Sequence, residues 1–126
     1  MSKPLTYTSN MKFEHQQWKA ELSFWKEELL CFNIRFSEIV VRWVKPDDFE
    51  TIRILQKKFI LHGGVIDDLC EIYEKQEKAI SAQFHPYEFV LNPQIVKTHF
   101  IIKNKMETER ELYAKLKKEF SVFFSK

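Results

Sequence analysis

The sequence predicts an all-α protein, an up-down-up antiparallel bundle of three long helices over about 10–45, 47–83 and 93–124. Three observations predict it. Apolar residues recur at alternating spacings of three and four along most of the chain, the repeat of helices packed lengthwise on one another. Only two glycines occur in 126 residues, which argues against a turn-rich all-β fold. Pro46 and Pro93 fall at the borders of the apolar repeats and not within them. The length fits one domain spanning 1–126, and 44% hydrophobic with 30% charged residues supports a packed core.

The first repeat reads Met11, His15, Trp18, Leu22, Trp25, Leu29, Phe32, Phe36, Ile39 and Trp43. Thr8, Ser9 or Asn10 can cap its start, and residues 1–9 are expected to be flexible. Pro46 ends the helix, because proline disfavours helical geometry in the residue before it. The second repeat reads Ile52, Leu55, Phe59, His62, Ile66, Leu69, Tyr73, Gln76 and Ile80. Asp47 and Glu50 have the spacing of a capping box. Gly63-Gly64 costs about 1 kcal/mol per glycine relative to alanine, but the repeat keeps phase across the pair, so one continuous helix is expected. The third opens on Asn92-Pro93, an asparagine cap with proline in the first turn. It continues through Ile95, His99, Ile102, Met106, Glu109, Tyr113, Leu116, Phe120 and Phe123.

Each helix should be about 50 Å long. Short connections make sequential helices antiparallel neighbours, and the apolar connection 84–92 is expected to fold over one end of the bundle. Residues 46–83 carry eight acids and five bases, whereas 93–126 carry eight bases and four acids. Attraction between helices lying side by side accounts for this asymmetry. Glu107, Glu111 and Glu119 interrupt the lysines of the last helix, so no nucleic-acid partner is expected.

No stretch approaches 18 apolar residues, so no membrane span is expected. Lys3 is followed by Thr6, Thr8, Ser9 and Asn10 and not by an apolar run, so a cytoplasmic setting with Cys31 and Cys70 reduced is expected.

Polar residues inside the repeats carry the most information: His15, His62, Gln76, His99 and Glu109. Buried without partners, each would cost about 1–3 kcal/mol. If Trp43 faces Phe49 across the first turn, His15 faces Gln76. If Ile80 faces Ile95, His99 faces Gln76 as well, so the three should share one layer near the open end. Such a layer fixes helix register. The other use of two imidazoles is a metal site, with His15 and His99 as ligands and Glu14 or Glu77 completing the shell. Glu-x-x-His, His-x-x-x-His and Cys-x-x-Cys are all missing, so no metal or cofactor is expected. His62 maps to the level of Tyr113, with a hydrogen bond between them. Glu109 maps near Trp25 and Ile66, accepting from the indole N–H or lying at the edge in water. Cys31 and Cys70 lie about 15 Å apart in this register, too far for a disulfide.

Apolar residues also flank the repeats: Phe13, Ala20, Phe24, Cys31 and Ile34, then Ile60, Leu61 and Val65, then Val96, Phe100 and Ile101. Three helices do not readily cover them all. A homodimer or a protein partner contacting Phe13, Phe24, Ile60, Leu61, Phe100 and Ile101 is therefore expected. The glycines form no phosphate loop, no Gly-x-Ser-x-Gly occurs, and no catalytic group stands out, so a non-enzymatic role is the expectation. A metal- or small-ligand-binding bundle is the alternative.

The pattern His15-Gln16-Gln17-Trp18-Lys19-Ala20-Glu21-Leu22 resembles the opening of a group of small uncharacterised bacterial helical-bundle proteins. Gln56-Lys57-Lys58-Phe59, Ile66-Asp67-Asp68-Leu69 and Glu119-Phe120 are similar in placement. The resemblance implies a three-helix fold and a bacterial cytoplasmic setting, and no activity.

Overall fold

The structure, a computed structural model, describes residues 9–42, 45–83 and 92–125. It is an all-α bundle of α1 (Ser9–Arg42), α2 (Phe49–Gln83) and α3 (Pro93–Phe124), with a 3-10 turn over Pro46–Asp48 leading into α2. Residues 1–8 of the stretch expected to be flexible, the repeat residue Trp43 and the apolar connection 84–91 lie outside the described residues, whereas Ser9 already belongs to α1.

Two boundaries differ from expectation. Lys45 is extended, with φ −76° and ψ 145°, so the first helix does not run to residue 45; the proline ring of Pro46 excludes helical geometry there. Lys45 also caps the 3-10 turn, with Pro46 at its first positions and no side-chain cap bond. Asp47 therefore lies inside the turn and does not cap it. Ser9 and Asn10 lie inside the first turn of α1. The start of α3 is as the sequence predicts: the Asn92 side chain accepts from the Gln94 N–H at 2.8 Å.

Ion pairs fix the directions. Lys26 meets Asp67 and His15 meets Glu77, so α1 and α2 run antiparallel. Lys58 meets Glu119 and His62 meets Glu109, so α2 and α3 also run antiparallel. Glu14, Glu21 and Glu28 meet Lys103, Arg110 and Lys117 in that order. Both sets repeat every seven residues, which is a ladder between the parallel helices α1 and α3. The main charge attraction thus joins α1 to α3 and not α2 to α3. Charge totals per segment hide this, because α1 is nearly balanced overall while three of its five acids, Glu14, Glu21 and Glu28, share the heptad position facing α3. Partly exposed pairs of this kind contribute about 0–1 kcal/mol each, so the ladder sets orientation more than stability.

The core follows the repeats. Trp18, Leu22 and Trp25 of α1, Leu55, Phe59 and Ile66 of α2, and Ile102, Met106 and Leu116 of α3 are all buried in one cluster. At one end the phenylalanines interlock. Phe59 lies 4.4 Å from Phe32, 5.5 Å from Phe36 and 5.8 Å from Phe120 between ring centroids. A second, small cluster of Ile80, Ile95 and Val96, with Met11 packed against it, closes the other end. Val96 is thus a core residue and not part of the surplus apolar surface.

α2 passes through Gly63-Gly64 without a break. A Cβ on Gly64 would meet nothing, and one on Gly63 would touch Leu29 at an ordinary 3.8 Å. Neither position has positive φ, so nothing in the packing requires glycine. Gly64→Ala is expected to stabilise by about 1 kcal/mol, read as a rise of about 4 °C in a thermal melt. An unchanged or lowered Tm would show that this stretch of α2 has to yield.

Candidate functional site

Two buried groups of titratable side chains lie inside the bundle. The first spans all three helices. His15, on the inner face of α1, and His99, six residues into α3, are each 2% exposed. Their imidazoles meet directly, His15 Nε2 to His99 Nδ1 at 3.1 Å. His15 Nδ1 bonds the Glu77 carboxylate of α2. On the far side, His99 Nε2 lies 3.4 Å from Glu14 Oε1, and Lys103 Nζ lies 3.3 Å from Glu14 Oε2. Trp18 shields the pair, its ring 5.0 Å from His15 and 4.9 Å from His99, and Tyr73 stands edge-on to His15 at 5.8 Å. The result is an unbroken chain Glu77–His15–His99–Glu14–Lys103 across the bundle, with its ends in partly exposed carboxylates and an ammonium group.

Gln76 is buried at this level too, 3% exposed, but its amide donates to the Ile95 carbonyl at 2.7 Å. The carboxylate of the next residue, Glu77, reaches His15 instead. Burial, then the neighbouring His15, push the His99 pKa below the ordinary histidine value. Glu14 pulls it back up and Lys103 adds to the lowering.

The second group joins α2 to α3. His62 Nδ1 meets both oxygens of Glu109, at 2.7 and 3.0 Å, and the Glu109 residue is 2% exposed. The expected partners were different. Tyr113 packs its ring 6.1 Å from His62, yet its buried hydroxyl has no hydrogen-bond partner among the described residues. Trp25 lies edge-on to Tyr113 at 5.8 Å, and Glu109 is neither at the water's edge nor bonded to the indole. For both His62 and Gln76, the bonded residue on α3 lies four positions before the expected one. That is one helical turn, about 6 Å, which a register inferred from an assumed loop does not resolve. Burial raises the Glu109 pKa, and the hydrogen bond and charge of His62 oppose the rise. Burial and then Glu28 drive the Tyr113 hydroxyl far above the ordinary tyrosine range.

His62 and Glu109 lie in the floor of a groove between α2 and α3, whose walls include Val65, Leu69 and Ile72 on one side and Lys105, Thr108 and Leu112 on the other. Ile54 and Leu61 extend the α2 wall at heptad spacing, and Ile101 extends the α3 wall. All three are exposed, Leu61 at 69%. The six residues expected at an interface are all exposed, but they do not form one patch. Leu61 and Ile101 flank the α2–α3 groove. Ile60 lies seven residues before Asp67, on the flank of α2 that meets α1. Phe24 lies beneath Lys117, beside the α1–α3 ladder, and Phe100 stands edge-on to His99. Phe13 lies on the outer face of α1, eleven residues before Phe24. Both cysteines are free, Cys31 exposed and Cys70 half-buried; burial raises the Cys70 thiol pKa, which lowers its reactivity.

No family model, no curated protein and no solved structure matches the chain. No helix among the described residues is long and apolar enough to cross a membrane. Among the same residues, no three His, Cys, Asp or Glu side chains converge to hold a metal ion.

Proposed function

We propose that the chain is a non-enzymatic helical bundle that works by protein contact, first of all with a second copy of itself, through the groove between α2 and α3. The observation that carries this reading is the apolar stripe of Ile54, Leu61, Val65 and Ile72 facing Ile101 and Leu112. Its spacing presents a continuous channel between two antiparallel helices, the surface on which an amphipathic fourth helix packs. The α1–α3 side is closed by the ion-pair ladder, and the groove between α1 and α2 is lined largely by Lys19, Ser23, Lys26, Glu74, Glu77 and Lys78. The α2–α3 groove carries Asp68, Asn104, Lys105 and Thr108 as well, and its apolar character comes from the exposed Ile54, Leu61, Val65, Ile101 and Leu112 along its rim.

The ladder also occupies Lys103, Arg110 and Lys117, which weighs against a phosphate-binding role for α3. Binding of a metal or small ligand by His15 and His99 is the weaker reading, since both nitrogens of each imidazole are already engaged within the chain.

Light scattering on the wild type and on Leu61→Glu/Leu112→Glu tests the proposal. The wild type is expected at about twice the 15.3 kDa chain mass, and the variant at the chain mass with unchanged helicity, because both side chains are half or more exposed. A wild type that stays monomeric at about 1 mM, well above any functional Kd, would sink self-association. A variant that still dimerises would sink the groove.

A further inference from the structure

We infer that the His15–His99 pair is a proton-operated latch, which closes the bundle with one shared proton and opens its end when a second proton binds. The geometry dictates the count. Three gaps along Glu77–His15–His99–Glu14 each have room for one hydrogen: the hydrogen bonds between the Glu77 carboxylate and His15 Nδ1 and between the two rings, and the 3.4 Å ion-pair contact of His99 Nε2 with Glu14. Two neutral imidazoles carry two N–H groups, and one imidazole plus one imidazolium carries three. The chain is filled when the pair holds a single positive charge. With two carboxylates and the Lys103 ammonium, the five groups then sum to zero charge.

A second proton makes both rings imidazolium. Both nitrogens across the 3.1 Å contact then carry hydrogens, and neither can accept. Two like charges also stand with ring centroids 5.2 Å apart, shielded from water by Trp18 and Tyr73. Among the described residues, the charged groups facing the pair are Glu14 from α1, Glu77 from α2 and Lys103 from α3. Glu14 and Glu77 already serve the first proton, and Lys103 opposes the second. Gln76, also at this level, does not titrate. In the open form each imidazole reaches water and takes its own proton.

Position decides what the latch releases. The pair lies between the main core and the small cluster of Ile80, Ile95 and Val96. Opening the pair frees that end and exposes those side chains, while the phenylalanine-rich end stays packed. Histidine is the side chain whose charge changes in the mildly acidic range, so acidification to about pH 5 is the trigger.

The sign follows from linkage. The open form binds one more proton than the closed form, so opening becomes favourable as pH falls below the ordinary histidine value. One proton gives about tenfold in the opening equilibrium per pH unit.

Hydrogen exchange of the full chain between pH 7.5 and 5, corrected for the intrinsic rate, tests this. Amides over 94–100 should lose protection about tenfold per pH unit below the histidine range, with those over 113–120 unchanged. Replacing His15 and His99 together by leucine should abolish that pH dependence. If the double variant fails to fold, imidazole nitrogen shifts of the wild type decide: uptake of the second proton must coincide with loss of protection. Two imidazolium rings in a fully protected helix, uniform loss across the chain, or the same pH dependence in the leucine variant would overturn the latch.

Discussion

His62→Ala is expected to cost about 3–5 kcal/mol at pH 7.5, because it strands a buried carboxylate. Glu109 is 2% exposed and both its oxygens face the His62 imidazole. Burial alone raises its pKa, and the two influences that restrain the rise both come from His62. Removing the imidazole leaves burial unopposed, so the carboxyl rises further. A carboxyl with a raised folded-state pKa binds its proton more readily in the folded chain than in the unfolded one. Stability therefore increases as pH falls toward the raised value and is least above it. The loss should shrink between pH 7.5 and 5, where the stranded group takes up a proton. Substituting Glu109 by leucine as well removes the buried charge and should restore most of the loss. Urea unfolding of both variants at both pH values measures the effect. Equal losses at the two pH values, with no recovery in the double variant, would show that the pair contributes through packing alone.

Phe59→Ala is expected to be as severe, by another route. Phe59 is 1% exposed, with the rings of Phe32, Phe36, Phe120 and Tyr113 around it. Truncation removes the buried ring and leaves a cavity that rigid aromatic neighbours do not fill, which costs about 3–5 kcal/mol. Lost ring-to-ring contacts add to that. The net stability of a domain is only about 5–15 kcal/mol, so this variant stands near the limit of folding. Phe24→Ala is the control: that side chain is 55% exposed, and its loss should fall within about 0.5 kcal/mol. Thermal melts of the two side by side check the contrast. A Phe59→Ala Tm within a few degrees of the wild type would mean that the phenylalanine end repacks freely.

The sequence and the structure agree most closely where one helix settles the matter by itself. The repeats through Leu22, Phe59 and Met106 place those residues in the core, since burial follows from a side chain's angle about its own helix axis. Asn92-Pro93 starts α3 for the same reason, because a cap is local chemistry between residues two apart. His15, Gln76 and His99 stand out in the sequence as polar residues at buried positions, and they are buried. Glu14 and Glu77, which finish the polar chain, stand out in the sequence as carboxylates next to His15 and Gln76, but in the role of metal ligands and not of hydrogen-bond partners.

Pairing across helices obeys a different rule. Whether His62 finds Tyr113 or Glu109 depends on the axial offset of α3 against α2, where one turn of about 6 Å replaces a phenol by a carboxylate. The Glu14, Glu21, Glu28 series and the Lys103, Arg110, Lys117 series each repeat every seven residues, but neither says which helix it faces. Three amphipathic helices were thus determined by the order of residues alone, because helical periodicity is an intrahelical property. The joined imidazoles, the His62–Glu109 pair and the ion-pair ladder were decided only by the tertiary structure, because a charged or polar side chain has many partners of the right chemistry and packing selects the one within reach.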